Sequence, residues 1–182
     1  LDIIIFDDYE QPNLQLDAGD LDANYFQHIP YLESFCADNG TKLVSAGAVH
    51  YEPMGIYTNL DKAYTIDTIP EKAVIAVPND PTNEARALLL LQQEGLIKLK
   101  DGVGLSATKS DIVENPHNYE IVEPEARLLP TVLEDVHIAV INGNYAIDAG
   151  LKVSEALAIE ASDGTAAEAY ANIIAVKAGN EN

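Results

Sequence analysis

The stretch Val74-Ile75-Ala76-Val77-Pro78-Asn79-Asp80-Pro81-Thr82-Asn83-Glu84-Ala85-Arg86 gathers groups suited to holding an anion. An apolar strand ends, Asp80 caps, and Pro81 opens a helix. The unpaired N–H groups and partial positive charge of a helix start attract negative ligands. Arg86 falls within the first two turns, where a cation opposes the helix dipole at a cost of a few tenths of a kcal/mol. A ligand carboxylate on the guanidinium fork would offset that cost. In a chain with 30 acidic residues, an ion pair with Asp80, Glu84 or a more distant acid is the commoner use of such an arginine.

A second group is aromatic: Tyr9, Phe26, His28 and Tyr31. All lie at expected strand ends or helix starts, the positions where α/β sheets bind ligands. A slot lined by these rings suits an apolar or thioether side chain. Ordinary core packing is the more frequent use of such rings. Asn142 and Asn144 follow the strand Val136 to Ile141, where amides could hold an amino or carboxyl group. Turn chemistry around Gly143 is the commoner reading.

Other spacings carry no chemistry. Gly102-Val103-Gly104-Leu105-Ser106-Ala107 matches a dinucleotide fingerprint, but no buried strand precedes it. Asp20-Leu21-Asp22-Ala23-Asn24 begins like a calcium loop, then places Tyr25 where glycine is required and Tyr31 where glutamate is required. The 4 histidines lack zinc spacing. No nucleophile elbow and no recognisable acid/base carboxylate pair is present. No metal and no cofactor is therefore expected.

The elements that must position these residues alternate. Leu1 to Phe6 reads as a buried strand, Gln11 to Ala18 as a short helix stopped by Gly19, and Leu21 to Phe26 as a second strand. A helix entered through Pro30 ends at Asn39-Gly40, and two strands follow, Lys42 to Ala48 and His50 to Tyr57. Ala73 to Val77 is a buried strand, and the helix from Asp80-Pro81 runs to about Glu94 with Gly95 as its stop. Asp111 to Glu114 reads as a short helix, Glu120 to Glu123 as a strand, and Leu128 to Leu133 as a helix. Val136 to Ile141 is a strand, Tyr145 to Ala149 a helical turn, and Ile173 to Val176 the last strand. Strands alternating with helices predict parallel α/β sheets.

Composition agrees with a folded domain: 47% hydrophobic and 22% charged residues over 182 positions. A net charge of −20 argues against nucleic acid and against docking on an anionic leaflet through a basic patch. No apolar run approaches the roughly 20 residues of a membrane span. The single cysteine, Cys36, excludes an internal disulfide and reads as a half-buried free thiol in a helix.

Longer segments carry a resemblance. Phe26-Gln27-His28-x-Pro30-Tyr31-Leu32, Glu52-Pro53-Met54-Gly55-Ile56-Tyr57 and Val77-Pro78-Asn79-Asp80-Pro81-Thr82-Asn83 resemble the NlpA lipoprotein family, the methionine-binding lipoproteins of ABC importers. So do Leu88 to Leu91, Gly95-Leu96-Ile97-Lys98-Leu99, Asp111-Ile112-Val113-Glu114-Asn115-Pro116 and Ala139 to Ala146. The resemblance runs through nearly the whole chain in order. It implies an α/β, two-lobed periplasmic-binding-protein fold with a ligand cleft between lobes. Residues 1–57 with 169–182 would form an incomplete first lobe and 58–168 the second, and the first lobe would show an unpaired sheet edge or exposed apolar surface. It implies ligand contacts at Tyr9, Phe26, His28, Tyr31, Arg86, Asn142 and Asn172, the last a residue that spacing alone does not single out. The implied role is extracytoplasmic capture of methionine, or of another amino acid or a methionine-containing dipeptide, for delivery to an ABC importer permease. Membrane attachment would come only through an N-terminal lipid on a segment outside this chain. An enzyme acting on an amino-acid-like substrate is the competing class, disfavoured by the missing nucleophile, metal cluster and acid/base pair. Arg86→Ala is expected to abolish methionine binding and leave the unliganded chain folded.

Overall fold

Gly19, Gly40 and Gly95 all stand at positive φ, and each ends a helix where the sequence places a stop. The structure, a computed structural model, describes residues 1–62, 64–161 and 168–181. It divides into two units, Leu1–Glu52 with Ser162–Asn182 and Pro53–Ala161, each with its own sheet.

In the first unit, α1 (Gln11–Ala18) leads to β1 (Asn24–His28), α2 (Ile29–Asn39) and β2 (Leu43–Tyr51). Asp8 starts α1 from outside, its Oδ1 accepting from the backbone N–H groups of Glu10 at 2.7 Å and Gln11 at 2.8 Å. The returning strand of this unit, β10 (Ala171–Lys177), lies between β1 and β2 and is antiparallel to both. Leu16, Leu32, Leu43, Ile173 and Ala175 form its core, with Leu21 and Cys36 packed against them. Cys36 is a half-buried free thiol, as expected.

A closed set of amides joins α1 to β1. Asn13 Nδ2 donates to Gln27 Oε1 at 2.8 Å, while Gln27 Nε2 donates to Asn13 Oδ1 at 2.6 Å and Asn24 Oδ1 at 2.9 Å. Asn24 Nδ2 completes it, donating to Asn13 Oδ1 at 2.8 Å and the Pro12 carbonyl at 3.1 Å. In a regular strand Asn24 and Gln27 would face opposite sides. A shift of register between Tyr25 and Gln27 brings them to one side and leaves Phe26 out of the ladder.

The second unit begins with β3 (Gly55–Thr58) and continues with β4 (Val74–Ala76), α3 (Pro81–Gln93) and β5 (Lys98–Leu99). Next come β6 (Ile112–Glu114), β7 (Glu120–Val122), α4 (Leu129–Val132), β8 (Ile138–Ile141), α5 (Gly143–Asp148) and β9 (Ala158–Ile159). Its main sheet runs β7-β4-β8-β3-β9. β4 is parallel to β7 and β8, whereas β3 is antiparallel to β8 and β9. Ala85, Ala87, Leu88, Leu90 and Leu91 of α3 are buried with Ile56, Ile75, Ile138 and Val140 of the sheet and with Val77 just after β4. Asp80 caps α3, its Oδ1 accepting from Asn83 N at 3.0 Å.

Several expectations are corrected. Leu1 to Phe6 forms no strand, and Ile3, Ile4 and Ile5 are exposed. β-rich residues make a strand only by pairing, and this segment joins neither β1 nor β2. The second strand starts at Asn24 rather than Leu21, where pairing with β10 begins. One long strand replaces the expected break at Val49, because β10 continues alongside to Tyr51. The break falls at Pro53, which has no N–H for a ladder. Ile112–Glu114 is strand, not helix, in keeping with its two β-branched residues and its pairing with β5. The sheets are not purely parallel: the first is antiparallel and the second mixed. Along the chain the division falls between Glu52 and Pro53 and between Ala161 and Ser162, and β3 pairs within the second sheet.

Glu84, buried in the first turn of α3, accepts from Lys109 N at 2.8 Å beside the Lys109–Glu123 ion pair. Burial pushes its carboxyl above the ordinary value, and neighbouring Glu123 adds to the rise. A raised carboxyl contributes stability that is fully present below its unfolded pKa and lost as pH rises through the folded one. Glu84→Gln keeps the acceptor and removes the charge. Thermal unfolding should therefore show it melting a few degrees above the parent at about pH 7, with the difference gone near pH 4. A variant melting below the parent at neutral pH would show the charge to be favourable.

Candidate functional site

The sequence-selected residues form two sets, one in each unit. In the first unit, Tyr9 follows Asp8, Phe26 sits at the β1 irregularity, His28 ends β1, and Tyr31 lies in the first turn of α2. The ring centroids of Tyr9 lie 5.6 Å from Phe26 and 5.7 Å from Tyr31. Phe26 and Tyr31 are 6.1 Å apart, and His28 and Tyr31 6.4 Å. The edge-on and tilted arrangements are those that ring quadrupoles favour. All four expected rings are thus brought together.

Hydrogen bonds help to fix their poses. Tyr31 Oη donates to the Tyr9 carbonyl at 3.1 Å, and Tyr31 N donates to His28 Nδ1 at 3.2 Å. His28 therefore caps α2 with an unprotonated Nδ1, so the neutral ring carries its proton on Nε2. Tyr170, absent from the sequence reading, packs its ring 5.2 Å from His28. Asn172 lies directly opposite His28 in the β1–β10 register, and opposed residues of a ladder share a sheet face. Register explains its place near the rings, which spacing could not reveal.

In the second unit the first two turns of α3, the residue that follows β8 and the residue that follows β9 supply buried polar groups. Asn83, Arg86, Asn142 and Glu160 are all buried. Arg86 Nε donates to Glu160 Oε1 at 2.7 Å, and its Nη2 donates to Oε2 at 2.6 Å. The two residues are 4% and 7% exposed. Glu160 Oε2 also accepts from Met54 N at 2.9 Å. The distant acid that the sequence left unnamed is Glu160, and nothing local to it signals the role. The pair spends two of the five guanidinium N–H groups on this carboxylate.

Asn142 and Asn83 meet as well: Asn142 Nδ2 donates to Asn83 Oδ1 at 2.8 Å. Asn142 is the N-cap residue of α5, yet its side chain makes no capping bond. The turn chemistry expected around Gly143 is thus not how this amide is used. Its Oδ1 is buried and has no hydrogen-bond partner among the described residues. Buried acceptors are rarely left so. Asn83 escaped the sequence reading as a site residue, although its spacing from Asp80 is that of an N-cap and its third helical residue. Among the described residues no helix is long and apolar enough to cross a membrane, and no group of His, Cys, Asp and Glu is placed to hold a metal ion.

The NlpA lipoprotein family matches residues 1–182. The chain is 46% identical over 185 aligned residues to the D-methionine-binding lipoprotein MetQ of Salmonella typhimurium, covering 100% of this chain but 66% of that protein. It thus spans slightly under two thirds of that relative's length. A solved structure of a nutrient binding protein from Burkholderia cenocepacia bound to methionine is 49% identical with a TM-score of 0.92, covering 100% of this chain and 74% of the other. An ABC transporter periplasmic substrate-binding protein from Coxiella burnetii is 44% identical, also with a TM-score of 0.92, over the same shares. The order of elements, the two units and the match over every residue place the chain in the NlpA lipoprotein family.

Proposed function

We propose that this chain is the binding portion of an extracytoplasmic solute-binding protein that captures methionine and delivers it to an ABC importer. The observation that carries this is the 49% identity, across the whole chain, to a protein solved with methionine bound. The relatives are named as binding proteins rather than enzymes. Tyr9, Phe26, His28 and Tyr31 take the thioether side chain, since sulfur–aromatic contacts each contribute about 0.3–1.5 kcal/mol. Arg86 takes the α-carboxylate, and Asn142 and Asn172 hold the rest of the amino-acid backbone. The ion pair with Glu160 is compatible with this role, because it holds the guanidinium plane rigid. The partner is the importer's permease, and a lipid on a segment preceding this chain holds the protein at the outer face of the cytoplasmic membrane.

Thermal unfolding with added methionine tests the reading. Ligand at 100 times its Kd stabilises by about 2.7 kcal/mol, a rise in Tm of roughly 5–10 °C for a chain of this size. Methioninol, which lacks the carboxylate, should raise it far less. No shift with either enantiomer of methionine, alongside a shift with another amino acid or a methionine dipeptide, would reassign the ligand.

A further inference from the structure

We infer that Asp80 and Asn83 are positioning residues that set the polarity of Asn142, so that its open atom, Oδ1, recognises a hydrogen-bond donor, the α-ammonium of an amino acid. The ligand class rests on the reading under Proposed function; the polarity does not.

The relay starts at Asp80. An ionised carboxylate only accepts. Asp80 Oδ1 takes Asn83 N at 3.0 Å, and Asn83 Nδ2 reaches both Oδ1 and Oδ2 at 3.0 Å. Thr82 Oγ1 donates to the same Oδ1 at 3.0 Å. The Asn83 amide must therefore point its NH2 at Asp80 and its oxygen away. That oxygen accepts from Asn142 Nδ2 at 2.8 Å, so the Asn142 amide is oriented in turn. Turning either amide over would set like groups against each other.

What remains is Asn142 Oδ1. It is an acceptor, on a residue 6% exposed, with no partner among the described residues. The backbone does not use it, although an N-cap amide oxygen ordinarily accepts from the first turn of its helix. A group that arrives opposite it must donate. An ammonium does so with charge assistance, while a carbonyl or carboxylate oxygen there would face another oxygen.

The test uses the full chain and two probes: methionine and its α-keto analogue, in which a carbonyl acceptor replaces the ammonium. Calorimetry should show the parent strongly preferring methionine. Asp80→Asn keeps the capping oxygen but supplies an NH2 that lets the Asn83 and Asn142 amides turn over. It should narrow the preference by about 5- to 100-fold. The exchange Asp80→Asn with Asn83→Asp restores a carboxylate facing Asn142 Nδ2 and should recover most of that preference, which a merely structural role would not do. In the unliganded protein, a through-hydrogen-bond coupling from Asn142 Nδ2 to Asn83 Cγ should appear in NMR spectra of the parent and the exchanged variant, and weaken in Asp80→Asn. Absence of the coupling in the parent, or an unchanged preference in a folded Asp80→Asn protein, overturns the relay. A parent that shows the coupling but binds no methionine keeps the relay and removes the proposed ligand.

Discussion

Arg86→Ala should lower stability by about 3–5 kcal/mol, because it strands Glu160 as a buried carboxylate without its cation. At this chain length that is a drop in Tm of roughly 6–20 °C. Sequence alone predicts a variant that stays folded and loses only its ligand. The bidentate contact with Glu160 changes that, since Arg86 supports the second unit as well as any ligand. Binding and folding are separated by pairing Arg86→Met with Glu160→Gln. The neutral amide oxygen can still accept from Met54 N, the stranded charge is gone, and most of the stability should return. Methionine should still fail to raise the Tm of this double variant. An Arg86→Ala protein melting with the parent would mean that the buried pair contributes nothing. A double variant that binds methionine as tightly as the parent would remove Arg86 from the site.

Gln27→Leu should cost about 2–6 kcal/mol. Two buried groups, Asn13 Nδ2 and Asn24 Oδ1, lose their hydrogen-bond partner to an apolar side chain, at about 1–3 kcal/mol each. The consequence reaches the ring cluster, because Gln27 stands between Phe26 and His28 on β1. With the amide set broken, nothing holds the irregularity that takes Phe26 out of the ladder, and methionine affinity should fall along with stability. Denaturant unfolding and calorimetry on the same variant measure both. A Gln27→Leu protein as stable as the parent would show that leucine packing offsets the lost hydrogen bonds. Unchanged affinity in a destabilised variant would uncouple the amide set from the rings.

Short-range rules were legible in the sequence. Pro30 and Pro81 open helices, Asp80 caps one, and Gly19, Gly40 and Gly95 end three. Each rests on the backbone chemistry of a few adjacent residues, which is present in the chain before it folds. The aromatic set was legible for the same reason, since Phe26, His28 and Tyr31 straddle one strand–helix junction.

Partners distant along the chain were decided only by the tertiary structure. Glu160 lies 74 residues from Arg86 and Asn142 59 residues from Asn83, and no local pattern joins them. Asn172 came near His28 through the antiparallel register of β10, a strand that reaches β1 from the far end of the chain. Leu1 to Phe6 shows the converse: its residues suit a strand, and unpaired with β1 or β2 they form none. A helix satisfies its own backbone hydrogen bonds and can be read from its own residues, whereas a strand, a buried ion pair or an amide relay exists only through what folding brings opposite it.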